Sequence, residues 1–309
     1  MSMEGKYRLI TRSDFDGLVC AVLLKDMGLI DDIKFVHPKD MQDGIIQVTE
    51  FDITTNLPYV SGAYLAFDHH LSETIRNQEV AENHIIDPNA PSAARVVYDY
   101  YKDKHQFRED WQEMLLAVDK ADSAQFTKED ILEPKGWELL SFLMDARTGL
   151  GRFRAFRISN YTLMMELIDY CRDHTIDEIL ELPDVKERVE LYFRYEDDFK
   201  KMIQNHAKVY DEILVVDLRD VDPILPGNRF IKYALYPETQ ISIQVMWGLK
   251  KQNTVFTVGK SIINRSSDVN IGEVMLQYGG GGHKNAGTCQ IPNDKTEELL
   301  VEVIGKLKA

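Results

Sequence analysis

The chain has 309 residues, enough for two domains that each bury a core of their own. Hydrophobic residues make up 44% of it and charged residues 28%, a globular composition, and no uninterrupted apolar run approaches the ~20 residues a bilayer crossing needs. Lys and Arg number 36 against 51 Asp and Glu, a net charge of −15. That balance argues against a protein that grips long duplex nucleic acid through many phosphate contacts, and favours a small anionic substrate whose charge bound metal ions neutralise.

The opening MSMEGKYRLI lacks the basic stretch, apolar core and small-residue cleavage site of a secretory leader. Cys20, Cys171 and Cys289 are odd in number and far apart, which fits reduced core thiols rather than a disulfide framework. A cytoplasmic location with no membrane partner is the expectation.

In chain order, YRLIT (7–11) reads as a first strand and GLVCAVLLKDMG (17–28) as a helix stopped by Gly28. IKFVHP (33–38), IIQVTEFDI (45–53), AYLAFDHH (63–70) and NHIIDP (83–88) read as four further strands, and a helix follows from about Ser92. WQEMLLAVDKAD (111–122), WELLSFLMDA (137–146) and YTLMMELIDYCRD (161–173) read as helices. Strands separated by crossovers predict an α/β domain with a mostly parallel sheet and flanking helices over residues 1–185. A long charged helix over 183–210 predicts a connector, taken as 186–210. Beyond it, EILVVDL, RFIKYALY, QISIQVMWGL and TVFTVGKSI show the alternation of strands in a mixed or antiparallel sheet. VNIGEVMLQYG (269–279) reads as a helix, followed by a GGGGH loop, a short strand and a terminal helix. Residues 211–309 are thus a smaller α/β domain.

Parallel sheets present ligands at the carboxyl ends of their strands. Asp14 and Asp16 follow the first strand, Asp52 ends the predicted third, and Asp68, His69 and His70 end the fourth. Asp119 and Asp122 fall in or just after a later helix. Alone, an Asp-x-Asp after a strand is a helix cap or solvated turn, and a His pair is a hydrogen-bonded surface feature. Together they crowd carboxylates at one rim, which divalent cations would neutralise; mixed oxygen and imidazole donors suit Mn²⁺, with Mg²⁺, Co²⁺ or Fe²⁺ as alternatives. An aspartate on a central strand is the natural bridge between two such ions, which selects Asp52. In YGGGGHKNAG (278–287), consecutive glycines let backbone N–H groups approach an anion, and His283 adds a donor. Arg265 upstream offers a bidentate phosphate clamp.

SDFDG (13–17), the strand-end Asp52, the DHH triplet (68–70), DSAQF (122–126) and the GGGGH loop with Ala286-Gly287 after it resemble, in order and over essentially the whole chain, the motifs of the DHH phosphoesterase superfamily and its DHH-associated domain. The two-domain layout is most similar to the nanoRNase and exopolyphosphatase-like branch. The resemblance implies a metal-dependent hydrolase in which Asp14 and Asp16 ligate separate Mn²⁺ ions, Asp52 bridges them, and His69 and Asp122 complete the ligands, with Asp119 as the alternative to Asp122. It also implies that His70 contacts the substrate phosphate, that Asp68 orients a histidine, and that Arg265, Gly280, Gly281, Gly282 and His283 bind substrate. Many members carry a metal-binding His two or four residues before the first Asp; here those places are Arg12 and Ile10, which leaves one or two ions as the expectation. The substrate class implied is a short oligonucleotide or dinucleotide, ahead of inorganic polyphosphate or pyrophosphate. A non-catalytic nucleotide or phosphate sensor is the alternative of another class, and self-association is an open expectation.

Overall fold

Five short strands form a fully parallel sheet. They are β1 (Tyr7–Arg12), β2 (Ile30–Val36), β3 (Asp52–Thr55), β4 (Leu65–Asp68) and β5 (His84–Ile86), in the order β2-β1-β3-β4-β5. The computed structural model describes residues 6–76, 81–153 and 155–308. Residues 1–5, part of the stretch considered for a leader, lie outside the described residues.

Side chains alternate across β1. Leu9 turns to the main core and Ile10 to a second, smaller one, and both are fully buried. The main core is built on α1 (Phe15–Asp26), in which Phe15 through Leu24 are all buried. Such an all-round apolar helix has no solvent face to present. It packs against α4 (Ala93–Tyr101), α5 (Trp111–Asp122) and α8 (Asn160–Asp173). The opposite sheet face is covered by α2 (Pro38–Gln42) and residues 45–60, through Met41, Leu57 and the partly buried Ile46 and Val48. This corrects the strand expected over 45–53. Ile46 and Val48 spend their apolar surface on that cover rather than on a ladder, and β3 begins only at Asp52. The remaining helices up to the connector are α3 (Leu71–Arg76), α6 (Lys128–Leu132), α7 (Gly136–Met144) and α9 (Ile176–Glu181).

Two compact units result, Met1–Gln125 with Pro134–Glu190, and Phe126–Glu133 with Leu191–Ala309. The division falls inside α10 (Pro183–Asn205). The connector helix stops short of the expected 210, because Ala207–Tyr210 forms β6 and pairs antiparallel with β7 (Ile213–Asp217) across a tight turn with Asp211 at φ 55°.

The second unit carries a mixed six-stranded sheet in the order β10-β11-β9-β8-β7-β6. Besides β6 and β7 it contains β8 (Ile241–Trp247), β9 (Thr254–Lys260), β10 (Gly281–His283) and β11 (Ala286–Ile291), and only β7 and β8 run parallel. The core packs this sheet against α12 (Ile271–Leu276) and α13 (Thr296–Leu307). The strand expected at RFIKYALY is instead α11 (Ile231–Leu235). The Asn228 Oδ1 accepts the Phe230 N–H at 2.9 Å, a local turn that starts a helix, and Ile231 and Ala234 share its buried face.

The expected GGGGH loop is also partly strand. Gly281 to His283 pair with Thr288 to Ala286 across a hairpin whose turn is Lys284-Asn285. A Cβ at Gly282, at φ +156°, would lie 2.3 Å from the Ala286 carbonyl oxygen, and one at Gly272 in α12 would lie 2.7 Å from the Gly282 carbonyl oxygen. These glycines let a helix and two strands touch backbone to backbone. Gly282→Ala is therefore expected to destabilise the protein by about 1–3 kcal/mol, visible as a lower midpoint in denaturant unfolding. An unchanged midpoint would contradict this packing.

Candidate metal centre

In a sheet of order 2-1-3-4-5 the chain reverses direction beside the first strand, leaving a crevice at the carboxyl ends of β1 and β3. The SDFDG turn enters that crevice. Asp14 caps α1, its Oδ1 accepting the Gly17 N–H at 3.0 Å. Gly17 is required there, since a Cβ would fall 2.0 Å from the Arg12 carbonyl oxygen. The cap sends Asp14 and Asp16 in different directions.

Asp16 goes inward, with 2% of its surface exposed, and its carboxylate receives the N–H groups of Ala93 at 2.9 Å and Ala94 at 2.7 Å. These are the first donors of α4, where the helix dipole favours an anion. Ser92 caps the same helix: its Oγ accepts the Arg95 N–H and donates to Asp119 at 2.7 Å. The Arg95 guanidinium donates Nε and Nη2 to Asp119 Oδ2, at 2.9 and 2.5 Å. Asp119 is thus consumed in fixing α4 against α5. Asp122, three residues on along α5, is the acid that meets the histidine.

His69 Nε2 lies 2.9 Å from Asp122 Oδ2 and 3.9 Å from Asp16 Oδ2. Its Nδ1 is 3.2 Å from the Ala90 carbonyl oxygen, which selects the tautomer that leaves the Nε2 lone pair facing the two acids. Nε2 is buried and, despite its short distance to Asp122, makes no properly directed hydrogen bond. Ligand atoms of Asp16, His69 and Asp122 all lie within 4.8 Å of one another. A buried imidazole nitrogen without a partner, facing two carboxylates, is a donor set that fits a divalent cation. Three protein ligands would leave coordination positions for water and substrate.

The charges agree. Burial first, and the Asp122 carboxylate second, push the Asp16 carboxyl up to about 8. Burial works to lower the His69 pKa, but Asp122 and Asp16 more than offset it and the value is raised. In the metal-free protein, protons hold together a cluster that a cation would otherwise neutralise.

The DHH neighbours divide their work. His70 Nδ1 donates to Asp68 Oδ1 at 2.7 Å, and the ring is partly exposed. Chiefly through that bond, and against burial, the His70 pKa is raised. Asp14 stands beside the cluster in different company. Its Oδ2 is 2.9 Å from Arg12 Nε and its Oδ1 accepts the Asn56 amide at 3.1 Å. Burial raises the Asp14 pKa and the Asp122 carboxylate adds to the rise, while Arg12, the Gly17 N–H and, more weakly, Arg147 oppose it.

Asp52 is not part of this centre. It opens β3 instead of ending it, opposite Arg8 in the ladder, roughly 10 Å along the strand from the carboxyl end. Arg8 donates Nε and Nη2 to its two oxygens at 2.7 and 3.0 Å, and the Thr49 N–H and hydroxyl donate as well. The residue at the carboxyl end of β3, where a bridging acid was expected, is Asn56, at φ +54° and fully buried. Sequence reasoning missed Asn56 because the predicted strand ended too early. The available signal was an Asn-Leu-Pro turn after Asp-Ile-Thr-Thr, since Asn tolerates the left-handed region. Arg147 and the Ser92–Arg95 bracket carried no motif.

In the second unit, Arg265 is exposed and donates Nε to the Ile262 carbonyl oxygen at 3.0 Å. His283 is exposed on β10. A Cβ at Gly280 would strike Thr288 and Cys289, whereas one at Gly281 would meet nothing within 4 Å. Gly281, then, is not demanded by internal packing.

No family model and no curated protein matches the chain. Among solved structures, the pGpG-specific phosphodiesterase PggH from Vibrio cholerae is 60% identical, over 98% of this chain and 99% of that one, with a TM-score of 0.90. The chain belongs to the DHH phosphoesterase superfamily. It is a phosphohydrolase of that family, whose members depend on divalent metals. An exopolyphosphatase-related protein from Bacteroides fragilis, 11% identical over 97% of this chain and 92% of that one with a TM-score of 0.52, shares the fold. So does RecJ from Thermus thermophilus in complex with Mn²⁺, 14% identical over 97% of this chain and 52% of that one with a TM-score of 0.51. Against the DHH motifs expected from sequence, the first, third and fourth meet at one point, and the aspartate taken for the second does not.

Two outcomes follow for Asp52. Asp52→Asn is expected to lower stability by about 1–3 kcal/mol while Mn²⁺ affinity stays unchanged, as read by titration calorimetry; a tenfold loss of affinity would return Asp52 to the centre. The pH dependence has a definite sign. Burial alone would raise the Asp52 pKa, but Arg8 and Thr49 lower it below its ordinary value. The stability it contributes is present above the unfolded carboxyl value and lost as pH falls through the folded one. The gap in unfolding free energy between wild type and Asp52→Asn should accordingly shrink as pH is lowered from about 6 towards 3.

Proposed function

We propose that this protein is a Mn²⁺-dependent phosphodiesterase that hydrolyses a short linear dinucleotide of the pGpG class. The observation that carries the substrate is the 60% identity, running the full length of both chains, to an enzyme named for that activity. The chemistry is supported by the crowded donor set of Asp16, His69 and Asp122, in which the buried His69 Nε2 has no hydrogen-bond partner. A divalent ion held there would draw charge off the phosphoryl oxygens and make an attacking water more acidic.

The chain's own groups have separate tasks in this reading. The α4 N-terminus holds Asp16 in one orientation, so the ligand does not have to be ordered when the ion binds. Ala90 fixes the His69 tautomer. Asp68 keeps a proton on His70 Nδ1 and raises the pKa of the ring, which favours the doubly protonated form whose Nε2–H can donate to a phosphoryl oxygen. In the second unit, Arg265, His283 and the backbone of Gly280, Gly281 and Gly282 are assigned to substrate binding. Gly281, whose missing side chain answers no internal contact, supports that assignment. On this reading residues 1–185 are the catalytic domain and 211–309 the substrate-binding domain. The three cysteines are all buried and free, which supports a reducing compartment, and among the described residues no helix is long and apolar enough to cross a membrane.

A substrate panel tests the proposal: pGpG, a longer oligonucleotide, a nucleoside 3′,5′-bisphosphate and tripolyphosphate, each with Mn²⁺ and with EDTA. The expected result is turnover of pGpG well above the others, abolished by EDTA, and reduced at least 10²-fold in Asp122→Asn with the fold intact by circular dichroism. Preferential hydrolysis of tripolyphosphate would overturn the substrate, and activity that survives EDTA would overturn the chemistry.

A further inference from the structure

Asp14 and Asp16 leave the same turn and meet opposite surroundings. Asp16 faces an imidazole nitrogen and a second carboxylate. The groups that hydrogen-bond or ion-pair with Asp14 are all donors: the Arg12 guanidinium at 2.9 Å, the Gly17 N–H at 3.0 Å and the Asn56 amide at 3.1 Å, while the Asp122 carboxylate is near enough to repel it. Among the described residues Asp14 belongs to no group of three or more mutually close metal-ligating residues.

The orientation of the Asn56 amide follows from its neighbours. Turning it over would set its oxygen against the Asp14 carboxylate, acceptor against acceptor. As placed, Nδ2 donates to Asp14 and Oδ1 is left buried without a partner. Asn56 also occupies the carboxyl end of β3, where an acid bridging two ions was expected, and an amide brings no negative charge. Asp52, the remaining acid of that strand, is saturated by Arg8 and Thr49 at its other end. A second divalent ion at Asp14 would thus face a fixed guanidinium, and the nearby Asp122 carboxylate is the one that Asp16 and His69 share for the first ion.

Resting on the metal-dependent reading above, we propose that this chain binds one divalent ion and not two, and that Arg12, held on Asp14 beside Asn56, takes the place of the second cation. The ion belongs to Asp16, His69 and Asp122. Arg12 neutralises Asp14, and its Nη groups, which make no hydrogen bond to protein among the described residues, are turned to a phosphoryl oxygen of the substrate. Unlike a metal ion, a guanidinium cannot be removed by a chelator or exchanged.

The test is metal content and electron paramagnetic resonance on the full chain, stripped and then titrated with Mn²⁺. One Mn²⁺ per chain with an uncoupled six-line spectrum is expected. Two ions with a spin-coupled spectrum would overturn this proposal and leave the metal-dependent phosphodiesterase reading standing. No bound Mn²⁺ together with turnover in EDTA would overturn both. The double variant Arg12→His with Asn56→Asp is expected to gain a second ion and a coupled spectrum, and Asn56→Asp alone serves if the double variant does not fold. Variants that fold and still bind a single ion would overturn the roles given to these two residues.

Discussion

A carboxylate sits almost fully out of water at the first turn of α4, held by two backbone N–H groups and facing a histidine and another acid. Everything in the centre answers to that arrangement. Taking Asp16 out of solvent is unfavourable unless positive charge comes close, and the α4 dipole supplies only part of it. The rest must come from a proton on the Asp16–His69–Asp122 cluster or from a metal ion. The site is strained towards binding a cation by its own burial. The surrounding apparatus, from the Ser92 cap to the Arg95–Asp119 pair, holds α4 where its N-terminus can receive the carboxylate.

The parallel sheet explains why the parts converge. Reversal of chain direction beside β1 opens one crevice, and the turns after β1, β3 and β4 all empty into it. Each donor is carried by an element whose position is fixed by a core on the other side: α1 by its all-round burial, α5 by packing against α1 and α7. Local sequence supplies the final aim. Gly17 permits the close turn that separates Asp14 from Asp16, and Ala90 selects one imidazole tautomer.

Much of this was legible in the residues. SDFDG, FDHH and the acidic end of α5 each carry their chemistry and their strand or helix within a few positions, so periodicity and capping locate them. The failures share a physical cause. Ile46 and Val48 carry a strand-like pattern, yet their burial comes from a loop folded under the sheet, and that shifted β3 and its end. Asp52 then looked like a strand-end acid, although a residue 44 positions away, Arg8, had claimed it. Asn56 was invisible because its role depends on a tertiary contact with Asp14. RFIKYALY fits either period, and the Asx turn at Asn228 decided for helix. Asp119 and Asp122 could not be separated until the partners of α4 were known.

A Mn²⁺-soaked crystal, with an anomalous difference map collected at the manganese edge, tests the central claim most directly. The account predicts a peak within direct coordination distance of His69 Nε2 and of oxygens of Asp16 and Asp122. A peak beside Asp52, or none at His69 with full occupancy elsewhere, would contradict it.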